Sequence, residues 1–348
     1  MDGTRFDISD TEREAGALSQ EKIALIQQSF KNNGFAVVSG LISPETCKLL
    51  HQSVLEDVAQ IRTKPDLTTH EQRTGIGHLQ LGLRRYAPFV KSELVANPLI
   101  ECIVSGLLGA GAWLGFYSGN VNTPGSGYQP LHLDRPFSWK TEEAATAAGQ
   151  PWPPPTTTLS CSVALTEITE ENGATEIYPG TQRETAVNDW QPGERPENYP
   201  ELKQKWGPPG RMTIPLGGIC FRDPRMWHRG VPNNGDVARP MIALTYHSGL
   251  AKHWKGLLVS DLSDEDKQRC EANPALKVMD DGQLGDGRLL FDESTREAFE
   301  STENKHGIFR NARFIEKPYT VNHFVDAHKL GGGRIAKEGE ITPYPETA

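Results

Sequence analysis

Long apolar runs are missing from this sequence. No segment approaches the roughly eighteen uninterrupted apolar residues that a membrane-spanning helix requires. Residues 1–19 are polar and charged, with no apolar stretch behind a basic beginning, which is unlike a secretory signal or a membrane anchor. We read them as a polar N-terminal arm, and we expect a cytoplasmic protein without a membrane partner.

Cysteine is scarce as well. The five cysteines are an odd number, lie far apart and never form a Cys-x-x-Cys pair. That distribution argues against a disulfide scaffold and against a thiolate metal site. We expect reduced thiols, most of them buried.

Positive charge is concentrated nowhere along the chain. The net charge is −9 at pH 7, and no stretch clusters Lys and Arg. A nucleic-acid or anionic-membrane surface needs such a cluster. We therefore expect a small-molecule substrate and no nucleic acid. A homodimer stays open, because the Gly331-Gly332-Gly333 tail has the composition of an arm that lies across a neighbouring subunit.

Helical patterns dominate the first third of the chain. Ser19 is the expected N-cap of a helix over residues 20–31, and Ser43 with a first-turn proline opens a second helix that runs to about residue 61. Asn97 opens a third helix, which ends at Leu108. We expect these helices to pack on one outer face of a sheet.

The apolar period changes to two from residue 112 onward, which is typical of β-strands. The expected strands cover residues 112–118, 128–134, 157–165, 175–178, 211–215, 219–221 and 241–247, after an earlier short strand at 35–38. Many short strands separated by Gly and Pro favour a sandwich or barrel.

Two regions fall outside this β pattern. Residues 183–210 are rich in proline and form a long insertion, which is either a lid over a site or an ordered surface excursion. Residues 251–348 are expected to form a C-terminal helical extension and a flexible tail.

Side chains that suit a metal occur at strand spacing in Leu131-His132-Leu133-Asp134. Alternate residues of a strand point to the same face, so His132 and Asp134 can bind one ion. His228 is the third candidate ligand. Two neutral imidazoles and one carboxylate are typical of Fe(II) sites that keep adjacent positions open.

Three further stretches make this pattern specific. They are residues 171–181, 222–233 and 239–244, and together with the His132 motif they resemble the phytanoyl-CoA dioxygenase family of iron- and 2-oxoglutarate-dependent oxygenases. The resemblance covers roughly residues 20–250. It implies one mainly β domain with flanking helices, a double-stranded β-helix or jelly roll of the cupin type.

The resemblance also implies the cofactors and their residues. His132, Asp134 and His228 would hold Fe(II), and Arg239, eleven positions after His228, would bind the distal carboxylate of the cosubstrate 2-oxoglutarate. O2 is the second cosubstrate. Gln129 and Thr175 are candidates for further contacts to 2-oxoglutarate.

Aromatic side chains cluster in sequence around the expected metal site. They are Tyr117, Tyr128, Phe137, Trp139 and Trp227. We expect them to wall an apolar substrate pocket, although aromatic residues on inward strands also serve as ordinary core. His78, like the histidines without a partner at ligand spacing, is expected to be a surface or packing residue.

The resulting hypothesis is a dioxygenase that oxidises an unactivated C–H bond of a small, hydrophobic, natural-product-like substrate and releases succinate and CO2. Hydroxylation and desaturation are both open. An acyl-CoA or amino-acid derivative is the alternative substrate, although no basic cluster suited to a CoA nucleotide stands out. A cupin-type metal-dependent isomerase and a non-catalytic jelly-roll binding module are the alternative functions.

Overall fold

The structure is a computed structural model. It describes residues 3–61, 75–81, 89, 91–95, 97–189 and 195–248, together with two short strands at 257–258 and 278–279. The helices and tail expected for the C-terminal extension lie outside the described residues. No helix within them is both long and apolar enough to cross a membrane.

Short strands make up the centre of the described fold. They are β1 (Arg5–Asp7), β2 (Phe35–Ser39), β3 (His78–Leu81), β4 (Trp113–Asn122), β5 (Thr158–Ala164), β6 (Glu176–Ile177), β7 (Gly210–Arg211), β8 (Ile219–Arg222), β9 (His228–Arg229), β10 (Arg239–His247), β11 (Leu257–Leu258) and β12 (Val278–Met279).

Helices precede the strands and interrupt them. They are α1 (Asp10–Ala15), α2 (Gln20–Asn33), α3 (Pro44–Ile61), α4 (Ser92–Val95), α5 (Pro98–Leu108), α6 (Glu142–Ala147) and α7 (Pro200–Trp206). Three 3₁₀ turns lie at Thr181–Arg183, Thr185–Asp189 and Pro196–Asn198.

Two sheets form the jelly roll. The large sheet has seven strands in the order β1-β2-β8-β5-β10-β4-β3, and the small sheet has the order β7-β6-β9. One face of the large sheet packs against α2, α3 and α5 in the main hydrophobic core. The fold is therefore mainly β with flanking helices, as expected from the sequence.

Residue alternation on β10 separates the two faces of the large sheet. Ile242, Leu244 and Tyr246 are 0–2% exposed and belong to the helix-side core. Arg239, Met241, Ala243 and Thr245 have the opposite phase and line a cavity on the other face. The phase of this one strand decides which neighbouring side chains reach the functional region.

Capping explains why the helices begin and end where they do. The Ser19 side chain accepts a hydrogen bond from the Lys22 amide, and Asn97 accepts one from the Leu99 amide. Gly34 ends α2 in the left-handed region at φ +83°. The three helices expected from the sequence are confirmed, with α2 extending to Asn33.

The residues expected to form a polar N-terminal arm, 1–19, contain β1 and α1. β1 pairs in parallel with β2, and the Ser9 side chain forms a capping box with Glu12 at the start of α1. The Glu12 carboxylate also accepts a hydrogen bond from Lys22, and this bond compensates the carboxylate for the water that it loses on burial. A polar sequence at an edge strand gave no periodicity that would have revealed it.

The strand expected over residues 128–134 is also absent as a regular element. Only an isolated bridge joins His132 to His228 there. Pro130 has no amide hydrogen for a ladder, and the Leu131 amide donates instead to the Glu197 carboxylate at 2.7 Å. The metal-binding motif is consequently tied to the small sheet by one residue pair and to the 183–210 segment by a side chain.

The 183–210 segment is structured where it is described. Glu184 accepts hydrogen bonds from Lys205 and from the Trp206 indole, which fixes α7. Glu197 binds the Leu131 amide. No described residue of the segment lines the cavity, which favours the surface excursion over the lid.

The four described cysteines are free thiols, and Cys47, Cys161 and Cys220 are buried. Burial raises the pKa of Cys47 to about 11 and that of Cys220 to about 12. Cys270 lies outside the described residues. The buried thiols of Cys47, Cys161 and Cys220 stay protonated at neutral pH.

Candidate functional site

His132, Asp134 and His228 converge on one point. Their ligand atoms all lie within 4.8 Å of one another. The His132 Nε2 atom is 3.6 Å from Asp134 Oδ1, and the His228 Nε2 atom is 3.4 Å from Asp134 Oδ2. The backbone produces this geometry, because the amides of His132 and His228 each donate to the other residue's carbonyl.

Both imidazole rings are oriented from behind. His132 Nδ1 lies 2.8 Å from the Pro130 carbonyl oxygen, and His228 Nδ1 lies 2.9 Å from the Met226 carbonyl oxygen. A carbonyl only accepts, so each Nδ1 carries the proton and donates it. The Nε2 lone pairs are then free to face a metal, which is the orientation that metal-binding histidines usually have.

The charge states of the site suit a metal as well. Burial, followed by the positive charge of Arg222, lowers the pKa of His228 to about 4, so its ring is neutral at pH 7. Burial alone would raise the pKa of Asp134, but His228 and Arg222 outweigh this and hold it well below its ordinary value. The neutral His228 imidazole and the ionised Asp134 carboxylate are ligands that suit Fe(II).

Arg222, at the end of β8, is the residue that the sequence reading missed. Its guanidinium is 7% exposed, donates from Nη2 to Asp134 Oδ2 at 2.6 Å, and places Nη1 3.1 Å from His228 Nδ1. The contact with Asp134 spans 88 residues of sequence. The only sequence signal for its position was the alternation along β8, which places Arg222 and Cys220 on one face of the sheet and Phe221 on the helix-side face.

Arg239 is a buried cation with no anionic partner among the residues that the structure describes. It is 4% exposed, and its guanidinium donates to the carbonyl oxygens of Asn172 and Gly173, at 3.4 and 2.8 Å. Among the described residues no carboxylate lies within ion-pair distance of it. Burial lowers its pKa to about 10, so the side chain is charged at pH 7. A buried, uncompensated charge favours binding of an anion.

Gly173 shapes the wall around Arg239. It has φ +82°, and a Cβ there would lie 2.2 Å from the Asn122 amide nitrogen. Asn122 in turn donates to the Val231 carbonyl oxygen at 2.9 Å. The turn expected at residues 171–181 therefore brings backbone oxygens close to the guanidinium, which a larger residue would prevent.

A cavity of about 340 Å³ connects these groups. Its lining includes all three candidate metal ligands, Arg222 and Arg239. The rest of the described lining consists mostly of small or polar side chains from β3, β4, β5 and β10; these include Gln80, Ser118, Asn120, Asn122, Ser160, Ser162 and Thr245.

Gln129 and Thr175 lie on the wall of the same cavity. The Gln129 Oε1 atom accepts a hydrogen bond from the Gly230 amide at 2.8 Å. That bond orients the side-chain amide group next to the β9 end. The placement is compatible with the 2-oxoglutarate contacts expected for these two residues.

Tyr117 and Trp227, expected on the substrate side, lie elsewhere. Tyr117 pairs with Leu244 and shares its phase, so it is fully buried in the helix-side core, where its hydroxyl donates to the Phe89 carbonyl at 2.5 Å. Trp227 is also fully buried and packs against Tyr178 and Leu131. It precedes His228 by one residue and therefore faces away from the cavity.

The other three aromatics are outside the cavity lining too. Phe137 is 3% exposed beneath the Arg225 guanidinium, at 4.6 Å from its ring centroid. Tyr128 is 57% exposed and is covered by Arg229. Trp139 is partly exposed. In the described part of the site, none of the five aromatic side chains expected to wall the substrate pocket lines the cavity.

His78, expected as a surface or packing residue, is buried in the cavity wall. It is 8% exposed on β3, opposite Asn122, and lines the cavity. Its Nε2 atom lies 2.7 Å from the Gly127 carbonyl oxygen. The sequence around it carried no ligand spacing, and its position became apparent only once β3 joined the sheet edge.

Comparisons with known proteins agree with this geometry. The sequence model of the phytanoyl-CoA dioxygenase (PhyH) family matches residues 30–241. Dioxygenase trt7 of Aspergillus terreus is 27% identical over 63% of this chain and 71% of its own length. The ectoine dioxygenase of Bordetella parapertussis is 24% identical over 67% of this chain and 77% of its own length.

One of the solved structures that are similar to this chain is a biosynthetic enzyme. The non-heme alpha-ketoglutarate-dependent carbocyclase SnoK from nogalamycin biosynthesis is 17% identical, with a TM-score of 0.46 over 75% of this chain and 94% of that chain.

Proposed function

Because the chain belongs to the phytanoyl-CoA dioxygenase family and is an iron- and 2-oxoglutarate-dependent dioxygenase, we propose that it oxidises an unactivated C–H bond of a small, natural-product-like molecule. Hydroxylation and desaturation are the two outcomes that this proposal admits. The substrate preference rests on the shape and lining of the cavity.

One observation carries the proposal. The same cavity is lined by the His132–Asp134–His228 cluster and by Arg239, a buried cation without a carboxylate partner in the described part of the chain. A metal-dependent isomerase of the cupin type needs the cluster but has no use for the cation. A dicarboxylic cosubstrate needs both, one at each end.

The residues divide the work accordingly. His132, Asp134 and His228 would hold the iron, and bound iron with 2-oxoglutarate and O2 supplies the oxidising power while succinate and CO2 are released. Arg239 binds the distal carboxylate with two parallel N–H donors. Gln129 and Thr175 supply further polar contacts from the wall.

The proposed substrate is a molecule of natural-product size, without the preference for a hydrophobic skeleton that the sequence suggested. That preference depended on five aromatic side chains, and none of them lines the cavity. The described lining instead combines hydroxyl and amide groups with aliphatic side chains such as Leu79, Val121, Met212 and Met241. A substrate that carries oxygen or nitrogen groups matches this surface better than a plain hydrocarbon does.

An amino-acid derivative is the second candidate substrate. The polar groups of the lining and its three arginines, Arg135, Arg222 and Arg239, favour a compact, polar molecule of this class. The ectoine dioxygenase relative has a name that points to such a substrate.

The test is reconstitution without oxygen. Protein loaded with Fe(II) is titrated with 2-oxoglutarate, then exposed to O2 with a library of oxygenated natural products and amino-acid derivatives, and succinate release is measured. We expect basal release that selected compounds stimulate, with a product heavier by one oxygen or lighter by two hydrogens. The same assay is run on Arg239→Met. Its matched control is Arg195→Met, which replaces an exposed arginine outside the cavity.

The alternatives give different results. An isomerase converts its substrate with metal alone, without 2-oxoglutarate or O2. A binding module retains compounds from the library but releases no succinate under any condition. Either result contradicts the proposed oxidation.

A further inference from the structure

We infer that Arg222, Ser160 and Thr245 form a subsite that receives a carboxylate or carbonyl oxygen beside the His132–Asp134–His228 cluster. This subsite deepens the proposed function and rests on it. It assigns a ligand-binding role to an arginine whose visible contacts in the structure are otherwise with two candidate metal ligands.

Sheet register brings the three side chains together. Ser160 pairs with Arg222 across β5 and β8, and with Thr245 across β5 and β10. Directly opposed residues of neighbouring strands share one face, so all three project to the same side. That side lines the cavity.

Arg222 has a donor to spare once His228 binds a metal. Its Nη2 atom donates to Asp134 Oδ2 at 2.6 Å, whereas Nη1 lies 3.1 Å from His228 Nδ1. His228 Nδ1 lies 2.9 Å from the Met226 carbonyl oxygen and donates to it in the metal-binding tautomer. Two N–H groups then face each other, and neither accepts.

The remaining contact of Nη1 is weak. The Asp223 carbonyl oxygen is 3.5 Å away, at the limit of a hydrogen bond. Arg222 is also 7% exposed, so bulk water cannot compensate fully. A charged donor in this position lacks a good acceptor, and the cavity is the direction from which one can arrive.

Ser160 and Thr245 are also without partners. Within the described part of the chain neither hydroxyl makes a side-chain hydrogen bond, although both are partly buried. Each hydroxyl can donate to an oxygen held by Arg222. The three groups together provide donors around one position, which suits an oxygen acceptor and disfavours an ammonium group.

Two sources can bring that oxygen. One is the keto-acid end of 2-oxoglutarate, and the other is an oxygen group of the substrate near the bond that is oxidised. A purely structural role for Arg222 is the competing explanation. It would require Arg222 only as the partner of Asp134, and would make ligand binding indifferent to Ser160 and Thr245.

The first arm of the test measures 2-oxoglutarate binding. Protein saturated with Co(II) is titrated with 2-oxoglutarate by calorimetry, and the Co(II) absorption spectrum reports metal loading. The variants are Ser160→Ala, Thr245→Val, Arg222→Lys and Arg222→Met, with Arg195→Met as the control. Melting temperatures identify any variant that fails to fold.

The second arm measures the substrate. With a compound that stimulates succinate release, KM, kcat and the ratio of product to succinate are determined for the same variants. The two hydroxyl variants decide the result, because they leave the Arg222–Asp134 ion pair intact. The double variant Ser160→Ala with Arg222→Lys tests whether the two side chains serve the same group.

Each outcome assigns or rejects the subsite. If 2-oxoglutarate supplies the oxygen, we expect its Kd to rise about two- to tenfold in each hydroxyl variant and more than about tenfold in Arg222→Met. If the substrate supplies it, the Kd stays constant while KM rises by similar factors. Unchanged Kd and KM in both hydroxyl variants would overturn the subsite.

Failure of the proposed function looks different from failure of the subsite. Wild-type protein that binds no 2-oxoglutarate and releases no succinate contradicts the oxygenase itself. Wild-type protein that does both, with hydroxyl variants indistinguishable from it, contradicts the subsite alone.

Discussion

The two faces of the large sheet carry different kinds of side chain. On the helix side, β4, β5, β8 and β10 present Tyr117, Val163, Phe221, Ile242 and Tyr246, all at most 2% exposed. On the cavity side, the same strands present two arginines and a set of serines, amides and a threonine. One sequence of alternating residues therefore serves packing on one face and ligand binding on the other.

The two faces contribute differently to the free energy of unfolding. Burial of each large apolar side chain on the helix face contributes roughly 1.5–3 kcal/mol to the free energy of unfolding. Burial of Arg222 and Arg239 on the other face opposes folding, since charges leave water. Substitutions on the two faces should separate cleanly into effects on stability and effects on ligand binding.

The largest effect should come from the metal cluster at the rim of the cavity face. In His132→Ala we expect bound iron and 2-oxoglutarate-dependent succinate release to fall by at least about 1,000-fold, since even outer contacts of a metal ligand are worth about 10- to 100-fold. Metal analysis and succinate assays measure this. The His132 side chain is 31% exposed, so the melting temperature should change little.

His51→Ala is the matched control for that variant, because His51 lies on α3, away from the cavity lining. It should retain iron and activity. A His132→Ala protein that keeps its iron at wild-type affinity would show that His132 is no ligand.

Ile242→Ala should have the next largest effect, on stability alone. Ile242 is fully buried against the helices and does not line the cavity, and such truncations cost about 2–5 kcal/mol. Denaturant unfolding measures the loss, and calorimetry should find 2-oxoglutarate affinity within about twofold of wild type. Thr245→Val, further along β10, should change the free energy of unfolding by less than about 1 kcal/mol.

The reverse pattern would break the comparison between the faces. If Ile242→Ala weakened 2-oxoglutarate binding at a temperature where it is fully folded, the helix face would be coupled to the site.

Arg239→Met should weaken 2-oxoglutarate binding by about 100-fold, because a charged, paired contact to the distal carboxylate is lost. Stability should stay the same or rise, since the variant removes a buried charge. Calorimetry and thermal unfolding give the two quantities. Loss of stability without loss of affinity would make Arg239 a structural residue.

The pH dependence of 2-oxoglutarate affinity sharpens the same point. Burial lowers the pKa of Arg239 to about 10, and only the protonated side chain attracts a carboxylate. Affinity should therefore be constant between about pH 7 and 9 and fall as the pH rises through about 10. In Arg239→Met that high-pH decline should disappear.

Sequence patterns were sufficient for the parts of the fold that depend on local signals. The two-residue step from His132 to Asp134 and the caps at Ser19 and Asn97 need only neighbours along the chain. His228 and Arg239 are likewise close along the chain, within a stretch about the length of a β-hairpin. These features were predicted with their residues.

Features that depend on register were not predictable. Tyr117 is an aromatic near the metal motif in sequence, but its pairing with Leu244 places it on the far side of the sheet. Arg222 binds Asp134, which lies 88 residues away in sequence. β1 joins the sheet through a parallel pairing, and its three residues contain no pattern that predicts it. A shift of one residue in any of these pairings would exchange the two faces.

Tyr117→Phe tests that face assignment with the smallest change. The variant loses only the hydroxyl that donates to the Phe89 carbonyl at 2.5 Å. We expect a loss of about 0.5–1.5 kcal/mol in the free energy of unfolding, measured by denaturant titration. Because the ring points into the helix-side core, substrate KM and 2-oxoglutarate Kd should remain at wild-type values. A changed KM with unchanged stability would mean that the Tyr117 hydroxyl faces the substrate, and the register of β4 against β10 would then have to be reversed in phase.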